Sequence, residues 1–128
     1  MEQGYEQVRR TWIGIGALAG LGAVMMAAVA AHIVPAASNP RAGAMLQNAI
    51  QMQGWHALVL LACGLWADRG GRLVDWAGAA FTAGLVLFCA AVYALALGGL
   101  RLPMLAPIGG SLLMLGWLLL AASAFRAR

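Results

Sequence analysis

TWIGIGALAGLGAVMMAAVAAHIV, residues 11–34, holds no charged side chain and directly follows the pair Arg9–Arg10. A helix of ~20 apolar residues crosses the ~30 Å hydrocarbon core of a bilayer. The run is too long for the ~7–15-residue apolar region of a signal peptide, so it reads as a retained transmembrane helix. Three further apolar runs follow, at about 49–67, 76–98 and 105–124. All eight basic residues, every one an arginine, and all four acidic residues lie outside these runs or at their ends.

The chain is 63% hydrophobic and 9% charged over its 128 residues, outside the range of ordinary soluble domains. Four spans leave no room for a second domain, so residues 1–128 are expected to form one. Short connections make successive helices antiparallel neighbours. The expected fold is an all-α membrane protein with four transmembrane helices in an up-down-up-down bundle. Arginine placement gives the orientation. Arg9, Arg10, Arg69, Arg72, Arg126 and Arg128 fall on one side, Arg41 and Arg101 on the other. That bias places the N and C termini in the cytoplasm and the chain in the cell inner membrane as a multi-pass protein.

Breaks between the runs are marked by turn chemistry. Pro35, Ser38, Asn39 and Pro40 read as a turn, with a short interfacial helix over Ala42–Gln47 running into the second span. Asp68–Asp75, containing Gly70–Gly71, reads as a tight cytoplasmic turn, and Gly98–Pro103 as a short outer connection. In the first run Gly16 and Gly20, with Ala19, Ala23, Ala27 and Ala31, form a ladder of small residues at four-residue spacing. Such a face lets helix backbones approach closely in lipid. It serves an internal contact or a dimer face equally well. The expected partners are therefore the lipid bilayer and either a homo-oligomer or a larger membrane complex. No basic stripe with interleaved aromatics is present, so nucleic acid is not among them.

Few polar residues lie inside the apolar runs. His32 ends the first span; Gln53 and His56 lie near the start of the second; Tyr93 lies towards the outer end of the third. Pro107, Gly109, Gly110 and Ser111 occupy the first turns of the fourth. All are expected in the non-cytoplasmic half, whereas Trp12, Trp66, Trp76 and Trp117 suit an aromatic belt towards the cytoplasm. The bland reading of His32, Gln53, His56 and Tyr93 is hydrogen bonding across helices, which fixes register. The sharper reading is a site: haem b or a metal ion held by His32 and His56, or a quinone or lipid pocket. Cys63 and Cys89 lack CxxC spacing and read as small buried hydrophobes.

Catalytic chemistry finds no support. Both aspartates fall on the side opposite the histidines, so no Ser-His-Asp set forms. Pro107-Ile-Gly-Gly is followed by no lysine and is no phosphate loop. No acidic residue lies within a span, which leaves no basis for a proton relay. The expectation is a structural or accessory membrane subunit, not an enzyme, with no cofactor. The alternative is a ligand-binding protein using the outer polar cluster.

Four motifs in order carry a resemblance to a known family. Ala31-His32 closes the first span, and Gln53-Gly54-Trp55-His56-Ala57-Leu58 opens the second. GLVLFCAAVY, residues 84–93, lies in the third, and Pro107-Ile-Gly-Gly-Ser-Leu-Leu-Met-Leu-Gly-Trp in the fourth. Together they resemble domain-of-unknown-function family 423, over about residues 12–120. Met52 stands where that family usually has Tyr, Cys89–Ala90 where it has Ser-Gly, and Ala30 and Ile33 where glycines flank the histidine. The resemblance implies a small multi-span inner-membrane protein whose activity is unestablished.

Overall fold

A computed structural model describes residues 2–32 and 39–127, nearly all of them helical. Helix α1 spans Glu2–His32, α2 spans Pro40–Gly98 and α3 spans Leu105–Arg126. Helix α1 begins well before the apolar run. Glu2 in its first turn suits the positive end of the helix dipole, and Glu6 pairs with Arg10 at 2.7 Å one turn on. Residues 33–34 of the expected first span, and Pro35 and Ser38 of the expected turn, lie outside the described residues.

The start of α2 is set by local chemistry. Asn39 Oδ1 accepts from the Ala42 N–H at 3.1 Å, and Pro40 takes the first helical position, where its missing N–H costs nothing. The expected interfacial helix at Ala42–Gln47 is therefore continuous with the following span. At the far end Gly99 adopts φ 66°, and the N–H groups of Gly99 and Leu100 close on Leu95 O and Ala94 O. A left-handed residue here needs glycine.

The expectation of four transmembrane helices in an up-down-up-down bundle is corrected. The described residues form three helices, and these three are the candidate membrane spans. The difference lies at Asp68–Asp75, read from its glycines as a tight turn between two helices: the chain does reverse there, but with a much shorter interruption. Only Gly71 leaves helical geometry, at φ 58° and ψ −145°, a region that glycine alone enters without strain. Asp68, Arg69, Arg72 and Asp75 all remain helical.

A straight helix of 59 residues would be about 88 Å long. Instead α2 doubles back at Gly71, and its two limbs lie side by side. Tyr93 Oη reaches Gln53 Oε1 at 2.6 Å, and Cys89 Sγ donates to Ala49 O at 3.7 Å. Helices α1 and α3 each pack on α2, and among the described residues their backbones do not come within 8 Å of each other, Cα to Cα. The start of α1 lies at the bend, where Trp12 Nε1 donates to Asp75 Oδ1 at 3.1 Å. The end of α3 lies there too, with Trp66 Nε1 donating to Ser123 Oγ at 3.2 Å.

Close approach through glycine holds the helices together. A Cβ on Gly16 would stand 2.9 Å from Ala57 O, and one on Gly109 would stand 2.5 Å from Phe88 N and 2.7 Å from Gly84 O. The small-residue ladder of α1 is thus an internal face at Gly16, Gly20 and Ala23, although Ala27 and Ala31 are exposed. The core centres on Leu60, Cys63, Val74 and Phe81. Leu18, Val24, Leu58, Val86 and Leu118 point outwards, as expected of a surface whose solvent is lipid.

Candidate functional site

The polar residues picked out in the sequence divide into two bonded groups and an outlier. Gln53, on the first limb of α2, joins three segments. Its Nε2 donates to Ala19 O of α1 at 3.0 Å, and its Oε1 accepts from Tyr93 Oη of the second limb at 2.6 Å. Gly22 makes room for it, since a Cβ there would lie 2.6 Å from Gln53 Nε2.

His56 is 3% exposed and uses both ring nitrogens. Trp117 Nε1 of α3 lies 3.2 Å from His56 Nε2. An indole N–H can only donate, so Nε2 accepts and the ring proton sits on Nδ1. That proton is donated to Met52 O one turn back, at 2.7 Å. Phe81 completes an aromatic cluster, with ring centroids 5.7 Å from His56 and 5.5 Å from Trp117. Gly116 admits the Phe81 ring, because a Cβ there would meet it at 2.7 Å.

His32 does not join them. Ala57, next to His56, faces both Gly16 and Gly20 of α1, which sets His56 level with that stretch. His32 lies twelve residues beyond Gly20 on the same helix, about 18 Å along the axis, and is exposed. Two imidazoles on one metal ion each lie about 2 Å from it, so this pair cannot share one in this arrangement. Among the described residues no group of three or more His, Cys, Asp or Glu side chains could hold a metal ion. Cys63 and Cys89 are buried free thiols.

Of the remaining predicted residues, Gly16, Gly20 and Gly109 face neighbouring helices. Gly109 is the contact of α3 with the second limb, whereas Gly110 faces open space. Pro107 sits in the first turn of α3, where its missing N–H breaks no helical bond. Sequence reasoning missed Trp117, assigning it to the interfacial belt. Its neighbour Gly116 and Gly109, seven residues earlier, mark the inward stripe of α3, and Trp117 flanks that stripe with its ring half exposed. Helix α2 starts at Pro40, so His56 lies about 24 Å into its first limb.

A groove of ≈ 400 Å³ opens between α1 and the second limb, lined by apolar residues with Gln53, Thr82 and Tyr93. No buried side-chain nitrogen or oxygen among the described residues lacks a hydrogen-bond partner.

Comparison with known proteins finds membrane proteins. A UPF0382 membrane protein of Staphylococcus haemolyticus is 32% identical over 118 residues, 91% of this chain and 97% of that protein. A UPF0382 membrane protein of Haemophilus influenzae is 27% identical over 122 residues, covering 94% and 98%. The UPF0382 inner membrane protein YgdD of Escherichia coli is 28% identical over 114 residues, covering 88% and 87%. No solved structure matches. With these relatives and its apolar spans, the chain is a multi-pass inner-membrane protein. The family model of the protein of unknown function DUF423 matches residues 26–110, and the chain belongs to that family.

Proposed function

We propose that this protein is a non-catalytic structural or accessory subunit of the inner membrane, whose interior polar residues hold its helices in register. One observation carries the reading: Gln53, His56, Tyr93 and Trp117 spend their hydrogen bonds on each other and on backbone carbonyls. A catalytic or ligating set needs groups whose valence remains open to a substrate. Here the same groups link α1, both limbs of α2 and α3. The outward face is mostly apolar and meets lipid or another membrane protein. The test is the mass of the protein released from membranes in native bilayer discs. An assembly of fixed stoichiometry, homomeric or with a partner, is expected; a strictly monomeric chain that retains nothing would refute the reading.

A second reading rests on the groove beside Gln53 and Tyr93. Its apolar walls and the polar pair Gln53–Tyr93 suit the head of a quinone or a similar amphiphile. Extraction of the purified protein with organic solvent tests it. One quinone per chain, lost in Tyr93→Phe with Gln53→Leu, would favour it over the structural role.

A further inference from the structure

We propose that the end of the molecule away from the Gly71 bend binds one anionic phospholipid, with Arg41 and Arg101 holding its phosphate. Arg41 is the second residue of α2, and Arg101 lies in the joint that follows it. Both line a cavity of ≈ 270 Å³ with Asn39 and Met45, and both also line a cavity of ≈ 360 Å³ with Ala91 and Ala106. The two cavities share Arg41, Met45, Leu95 and Arg101 and form one groove. Its rim is cationic and its inner part apolar. Ala91 lies seven residues before the end of α2, about 10 Å below it, so the apolar part descends along the limb in the direction of an acyl chain.

Charge selects the occupant. All four acidic residues of the chain, Glu2, Glu6, Asp68 and Asp75, lie in the N-terminal segment or beside the Gly71 bend. The bend and the start of α1 share one end of the molecule. No carboxylate therefore stands near Arg41 or Arg101. Two guanidinium groups lining one cavity repel each other unless an anion lies between them. The N-terminus of α2 beside Arg41 adds positive potential. Planar guanidinium forks match phosphate oxygens in geometry. A free anion would leave the apolar limb empty, and an uncharged amphiphile would leave the arginines unpaired. A phosphate headgroup with an acyl chain satisfies both parts.

Native mass spectrometry of the full chain in mild detergent tests this, with phosphatidylglycerol, phosphatidylcholine and inorganic phosphate as separate probes. The expected result is one phosphatidylglycerol retained per chain, and at least tenfold weaker retention in Arg41→Gln/Arg101→Gln. The control Arg69→Gln/Arg72→Gln, at the bend, keeps wild-type retention. Equal loss in both double variants would mean only diffuse surface charge and would overturn the site. So would displacement of the lipid by millimolar inorganic phosphate, or equal retention of phosphatidylcholine. Both arginines are exposed, and unchanged helical circular dichroism confirms that the variants fold.

Discussion

His56 and Tyr93 differ in what their removal would leave behind. His56→Ala strips the Trp117 N–H of its acceptor and opens a hole beside Phe81. The expected cost is about 2–4 kcal/mol, read as a lower unfolding midpoint in mild detergent. Tyr93→Phe removes one hydrogen bond and no volume of consequence, so its cost is expected at about 0.6–2 kcal/mol. His32→Ala, at an exposed position, is expected within about 0.5 kcal/mol of wild type. A large loss at His32 with none at His56 would invert this ranking and contradict the placement of both residues. The sequence made Gln53, His56 and Tyr93 legible because a polar side chain in an apolar run must find a partner. It could not show which partner: Trp117 becomes visible only once α3 is set against the first limb of α2.

Among the elements, glycine positions decide geometry by two different mechanisms. A Cβ on Gly71 would meet nothing within 4 Å, yet its φ of 58° sits with a ψ of −145°. Gly71→Ala is therefore expected to cost about 1–3 kcal/mol through backbone strain alone. Gly109 is the converse. Its φ is ordinary, but a Cβ would strike Phe88 N and Gly84 O, which are backbone atoms that cannot swing aside. Gly109→Ala is expected to separate α3 from the second limb and lower the yield of folded protein, whereas Gly110→Ala, facing open space, leaves it unchanged. Equal tolerance at 109 and 110, measured by folded yield and melting in parallel, would contradict that packing. The apolar runs were readable because length and hydropathy define a membrane helix. The join at Asp68–Asp75 was legible as a reversal because Gly70–Gly71 carries a turn signature; what the sequence did not show is that Gly71 alone leaves helical geometry, so that both limbs count as one element.

At the scale of the molecule, charge is segregated along the bundle axis. The acidic residues and Arg9, Arg10, Arg69, Arg72 and Arg126 gather with the bend, the start of α1 and the end of α3; Arg41 and Arg101 stand alone at the opposite end. The arginine excess predicts that the bend end faces the cytoplasm. A reporter fused after residue 126 should read cytoplasmic, and one inserted at the Gly99–Pro103 joint should read outside; the reverse pattern would refute it. Segregation of this kind was visible in the sequence, since it depends only on where charges fall between apolar runs. The lateral arrangement was not, because a lipid-facing exterior and a small-residue interior leave little periodic contrast to read. The central claim is that the interior polar residues serve packing and that the protein acts by assembling in the membrane. Native mass spectrometry of the protein in bilayer discs taken directly from the membrane tests it most directly. An assembly of fixed stoichiometry heavier than the 13.3 kDa chain, without haem, metal or quinone, is the expected result. A monomer, or a chain carrying one such cofactor stoichiometrically, would contradict it.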